Sequence, residues 1–512
     1  MKKILNSNMV WSIVAILVNT AINFCVVPYV SENVGVEAYG FVTLANTLIT
    51  YIDVISVALN SFASRYIAMS YHEKDFTKAR KYYSSVFIAD VILSVVFAIP
   101  GFFIILNLQK IINVSLSLEY DVKILFFIVL GRYICTLLRN AFDVSTFIKN
   151  RLDLTEKLRA FSYLIQAAIL LVTCVYMKPH VWYVGLATFA AAFVMLMVQY
   201  VFTRRLTCEL KVKITDFSLK CIKDFLVNGI WNAINNIGNL LNTGLDLLIT
   251  NKMLTELLMG MVSVSKTLGS LCYTLVVAIS SSFRPKQLEA YSHKDKETLV
   301  VLLKNAMTIT GAICAIILAG FNACGTDFLR LWLPTQNHKI LFQLAMITLV
   351  SDILIGVVNP LYYVFTLTKK LKIPCIITIA MGVLNITGMY TLINNTNLGV
   401  YAVVLTTMVL NLIHFVDTPL YASYCLRVKM KTFYPIIMRH LFNTLILLLW
   451  TNILNNVWPN VDSWATLLIK VIFYGITELM IASIVVTNKT QKVIIAKRIA
   501  AISNSKGKIN GN

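Results

Sequence analysis

Fourteen apolar stretches, separated by short polar gaps, leave this chain few folds to choose from. A helix needs roughly 20 apolar residues to cross about 30 Å of hydrocarbon. By that rule the sequence predicts spans at 8–30, 40–63, 84–106, 124–148, 160–177, 181–202, 225–250 and 257–283. Six more are predicted at 299–324, 340–368, 373–393, 400–426, 433–454 and 464–487. The chain of 512 residues is 58% apolar and 13% charged, far more apolar than a soluble core can bury, so the expectation is an all-α polytopic membrane protein. Met1-Lys2-Lys3 leads into an apolar stretch too long for a signal-peptide core, with no small-residue cleavage site after it, so the first helix is expected to stay.

The net charge of +21 reads as topology rather than as a nucleic-acid surface, because the basic residues sit in the gaps between spans. One alternate set of gaps, with the two ends, holds 33 Lys and Arg; the other holds 6: Lys110, Lys123, Lys178, Lys252, Arg330 and Lys339. Short cytoplasmic loops collect positive charge, so both ends are expected in the cytoplasm. The ten Cys are scattered without a CxxC pair, and no HExxH or phosphate-cradling Gly-rich loop occurs. No disulfide framework, metal site or soluble enzyme domain is supported.

The chain also repeats itself. A shift of 220 residues places Asn8, Trp11 and Asn19 on Asn228, Trp231 and Asn239, Gly40 on Gly260, Tyr71 on Tyr291 and Lys74-Asp75 on Lys294-Asp295, without a gap. Both copies start on the cytoplasmic side, so the repeat is parallel. The expected organisation is an N-terminal lobe at 1–203, a linker at 204–224, a C-terminal lobe at 225–426, two further helices at 427–487 and a basic tail at 488–512.

Two spans carry the polar residues that matter most. In the seventh, Asn228, Asn232, Asn235, Asn239, Asn242 and Asp246 recur at spacings of 4, 3, 4, 3 and 4, one helical face about 27 Å long. Such a stripe either packs on other helices through amide hydrogen bonds or lines a wet cavity; its length and Asp246 favour the cavity. The first span has a thinner version in Asn8, Ser12, Asn19 and Asn23.

In the fourth span, Arg132 and Arg139 share a face, with Asp143 one turn beyond Arg139. An intramembrane Arg costs several kcal/mol unless it meets an anion or water, and its planar fork matches phosphate oxygens. Both are candidates for binding a phosphate-like anion. The bland alternative pairs Arg139 with Asp143, and Arg132 with an acid such as Asp53 or Asp90. Asp53, Asp246, Lys266 and Asp352 are candidates for ion coupling, with an internal Asp246–Lys266 ion pair as the bland reading. His414 with Asp417, three apart, could relay a proton, although Asp417 beside Pro419 also reads as an inert end position. Glu478 lies in the last span.

Asn8, Pro28, Gly35, Tyr39-Gly40, Arg65 and the layout of six, six and two helices resemble the multidrug/oligosaccharidyl-lipid/polysaccharide exporter superfamily. Within it, the chain resembles the polysaccharide transporter branch that includes Wzx-type O-antigen and capsule flippases. The resemblance implies alternating access between two lobes in the inner membrane, with an undecaprenyl-pyrophosphate-linked oligosaccharide as cargo and no catalytic residue. It adds Arg65 to the candidate binding residues and places the last two helices near a groove for the lipid tail. Polysaccharide polymerase and glycosyltransferases are the expected working partners, membrane lipid the surroundings, and nucleic acid is excluded. No cofactor is expected beyond a proton or sodium gradient. A lipid II flippase of the same superfamily and a multidrug antiporter are the alternatives. A membrane glycosyltransferase or polymerase is disfavoured, because the longest outer gaps, 107–123 and 325–339, are short and lack paired carboxylates.

Overall fold

The structure, a computed structural model, describes residues 2–455, 458 and 461–486, apart from the side chains at 2–10, 12, 13, 228, 231, 235 and 243. Among the described residues every regular element is helical. The helices are α1 (Lys2–Asn33), α2 (Val36–His72), α3 (Phe76–Leu106), α4 (Leu108–Ile111), α5 (Glu119–Ile148), α6 (Leu152–Tyr176), α7 (Trp182–Leu206) and α8 (Leu219–Thr243). They continue as α9 (Asp246–Met253), α10 (Glu256–Ser292), α11 (Lys296–Trp332), α12 (His338–Leu367), α13 (Lys372–Asn395), α14 (Tyr401–Leu426), α15 (Tyr434–Asn455) and α16 (Trp464–Val486). Twelve of these are long and apolar enough to cross a membrane. Two more, α5 and α8, have the length, 30 and 25 residues, and carry the Arg and Asn residues noted above. The protein is therefore an all-helical, multi-pass membrane protein.

Both α2 and α10 run 37 residues, past the apolar limits at 63 and 283, and end on the same device. Lys74 (φ 61°) and Lys294 (φ 58°) take the left-handed conformation that stops a helix. Asp75 then caps α3 by accepting from Lys78 N at 2.9 Å, and Asp295 caps α11 by accepting from Thr298 N at 3.0 Å. These are the Lys-Asp pairs that the 220-residue shift superimposes.

Contacts divide the chain into two compact units, Met1–Ser265 with Lys372–Thr407, and Lys266–Leu371 with Met408–Asn512. In the first, Leu59, Ile67, Tyr83, Val86, Leu196 and Phe225 belong to one buried cluster. Lipid gives apolar helices little reason to associate, so close approach through small residues does much of the work. A Cβ on Gly40 would stand 2.9 Å from the Cα of Gly260, and one on Gly260 would run into the Val36 carbonyl. The two glycines related by the repeat thus pack directly on each other. The connection after α7 lies on α3, where Lys213 N and Ser218 N donate to the buried hydroxyls of Ser84 and Ser85 at 3.1 and 3.0 Å. In the second unit, Val276, Leu303, Cys314, Val357, Val364 and Phe433 form the corresponding core.

The seventh predicted span needs correction. It is not one helix to 250: α8 ends at Thr243, and Asp246 opens the separate short helix α9. The break lies where Gly244 meets a crowded neighbour, since a Cβ there would stand 2.6 Å from the Leu240 carbonyl. Carbonyls released by a break at membrane depth must find other donors. Asn385 of α13 donates to the Asn242 carbonyl, and the Tyr51 hydroxyl of α2 donates to the Gly244 carbonyl at 2.5 Å. Asp246 therefore does not continue the face of α8.

Candidate functional site

The break between α8 and α9 gathers polar groups inside the first unit. Asn385 is fully buried; besides donating to the Asn242 carbonyl it exchanges hydrogen bonds with Thr407 of α14, at 3.2 and 3.4 Å. Asn242 is buried and its side-chain oxygen meets no donor among the described residues. Asp246 is buried beside Tyr51 and holds the Thr250 hydroxyl through its carbonyl at 2.7 Å. Higher on α8, Asn232 and Asn239 are exposed. The stripe therefore runs from open surface into a buried amide cluster. The side chains of Asn8, Ser12, Asn228 and Asn235 lie outside the described residues, while Asn19 and Asn23 of α1 are half-buried.

Helix α5 packs on α2, α3 and α7. Arg139 is half-buried and pairs with Asp143 at 3.4 Å, as its i+4 spacing predicts, and its Nη1 lies 3.3 Å from the Met195 sulfur. Arg132 is also half-buried, yet makes no ion pair among the described residues. The acids that could have met it are engaged elsewhere: Asp53 accepts from the Ser56 hydroxyl, and fully buried Asp90 accepts from Asn60 at 2.9 Å. Arg65 is exposed two turns before the end of α2, its guanidinium 5.2 Å from the Phe62 ring.

In the second unit, Asp352 of α12 lies within the electrostatic reach of Lys266, against Gly269 of α10. His414 is buried, 3.4 Å from half-buried Asp417. The sequence reading did not single out Asn385, Tyr51, Asn60 or Lys470. Lone polar residues in apolar runs were the only signal available, and each meets a partner outside its own helix. Lys470 of α16 is the plainest case, with 4% of its surface exposed and its ammonium 2.9 Å from Asp327.

Residues 5–285 match the family model described as polysaccharide biosynthesis protein. The chain is 28% identical over 509 residues to an uncharacterized membrane protein of Bacillus subtilis strain 168, EpsK, covering 98% of each. Its fold is similar to that of the lipid II flippase MurJ in an inward closed conformation, with a TM-score of 0.70 at 15% identity over 94% of this chain and 98% of that one. It is also similar to a multidrug resistance MATE family transporter of the MOP superfamily in an inward-facing conformation, with a TM-score of 0.63 at 15% identity over 81% of this chain and 95% of that one.

Proposed function

The chain belongs to the polysaccharide biosynthesis protein family, as a transporter of the MOP superfamily, and from that premise we propose that it flips an undecaprenyl-pyrophosphate-linked oligosaccharide across the cytoplasmic membrane. The glycan would enter surface polysaccharide assembly, as O-antigen, capsule or exopolysaccharide, between glycosyltransferases and a polymerase. Both ends of the chain would be cytoplasmic, from the excess of Lys and Arg in one set of gaps.

The observation that carries this reading is Arg132, a cation in a spanning helix that meets no carboxylate among the described residues. An anionic substrate group supplies what such a cation lacks. A pyrophosphate suits it because the guanidinium offers two parallel N–H donors to phosphate oxygens. Arg139, about 10 Å along the same face, would exchange its 3.4 Å pairing with Asp143 for the same anion as it passes. The exposed amides of Asn232 and Asn239 offer hydrogen bonds to sugar hydroxyls, and alternating access would expose the site to each side in turn. Translocation breaks no covalent bond, so the residues only bind and release.

Substitution of both Arg132 and Arg139 by Gln, in cells whose own gene is deleted, is expected to abolish surface glycan while the protein remains in the membrane at normal level. Unchanged surface glycan in that strain would remove the two arginines from the site.

A further inference from the structure

Glu478 of α16 has 1% of its surface exposed, and its Oε1 meets no donor among the described residues. It faces α11 at Gly320, where a Cβ would stand 3.6 Å from Oε2. The adjoining contact between α11 and α15 is apolar, with fully buried Ala315, Ala319 and Leu447, and partly buried Ile481 of α16 packs against it. The charged and titratable groups around it are few. On its own helix they are Tyr474, whose buried hydroxyl is likewise without a partner among the described residues, and Lys470. From α11 come Cys324 and Asp327, whereas on α15 His440 lies at Gly311, nine positions along α11 from Gly320, and Arg439 reaches the Val486 carbonyl. The cation on its own helix is already engaged, Lys470 donating to Asp327 at 2.9 Å.

A carboxylate without a cation or donors is too costly to keep in such a place. Its neutraliser must arrive along a path, and the side chains lay one out. Asp462 is 84% exposed beyond the start of α16 and lies 3.7 Å from Arg330. Arg330 lies 3.7 Å from Asp327, which binds Lys470, whose ammonium stands 5.9 Å from the Tyr474 ring centre. Tyr474 is one helical turn from Glu478. The row descends roughly 21 Å from Trp464 to Glu478 at the helical rise.

We infer that Glu478 is a proton-binding site of this transporter, loaded from the outer end of the second unit along the row Asp462, Asp327, Lys470 and Tyr474, in which Arg330 stays protonated and only positions the two carboxylates. One proton from bulk water converts the carboxylate to the neutral acid, and its return to water restores the charge. The consequence for coupling, a proton taken up on one side for each transport cycle, rests on the transporter reading; the binding itself does not.

The test is infrared difference spectroscopy of the full-length protein in lipid vesicles, between acidic and neutral buffer, with no glycolipid present. A protonated-carboxyl band is expected in the wild type, lost in Glu478→Gln, shifted in Glu478→Asp and kept in Asp352→Asn. In Lys470→Met the band should remain while its appearance after an outside acid jump slows by about tenfold, a barrier increase of about 1.4 kcal/mol. A band that survives in Glu478→Gln, or that disappears on adding sodium at fixed pH, overturns the inference. Either result leaves the glycolipid reading standing, since that falls only if the arginine variants keep their surface glycan.

Discussion

Asp90 has no exposed surface, and one of its oxygens is held by the amide of Asn60 at 2.9 Å while the other meets no donor among the described residues. Removing that single donor in Asn60→Ala should cost about 1–3 kcal/mol, read as a lower apparent melting temperature in detergent, with Asn60→Gln costing less. Outside the membrane, Glu209 is held below the usual carboxylate range by its own backbone N–H first, then by the Tyr71 hydroxyl at 3.0 Å and the charge of Lys149. A depressed carboxylate contributes stability that is present above its unfolded pKa and lost as pH falls through the folded one. Amide exchange at 207–213 should therefore quicken below about pH 4 and lose that dependence in Glu209→Gln. Of these side chains the sequence drew attention to the intramembrane arginines and to Asp90 only as a partner, because a single buried charge is visible in an apolar run. Asn60 was not visible, because an isolated Asn says nothing about what it meets thirty positions away.

The break between α8 and α9 shows the same limit for a whole element. The 4-3-4-3 spacing was legible and places Asn232, Asn239 and Asn242 as helical neighbours, but nothing local announced the end at Thr243. One glycine inside an apolar run is a common and tolerated event. What makes the break stable is supplied by Asn385, 143 positions later, and Tyr51, 193 positions earlier. Asn385→Ala should leave the Asn242 carbonyl without its donor and raise amide exchange across 243–247, whereas Asn385→Gln should do so less. Cysteines placed at the exposed positions 232 and 239 are expected to react with a water-soluble maleimide, and one at buried Leu247 is not.

For the molecule as a whole, the all-helical, multi-pass architecture was the most legible feature. Span length and apolarity are additive over hundreds of residues, so a wrong boundary of a few positions does little harm. The packing of residues 372–407 with the first unit has no such local signature and rests on long-range contacts like that of Asn385. The substrate was the least legible, because the same helical layout can serve different cargoes. Gly260→Val should prevent the close approach of α10 to α2, lowering the yield of monodisperse protein, because its side chain would enter the space of the Val36 carbonyl. The meeting of Gly40 with Gly260 has a further consequence for descent. The 220-residue shift aligns them, and Gly260 walls the niche of Gly40 while Val36 and Glu37, one turn before Gly40, wall that of Gly260. Any bulk acquired at one glycine is felt at once by the segment that holds the other, so the two positions are constrained together however far the remaining sequence drifts.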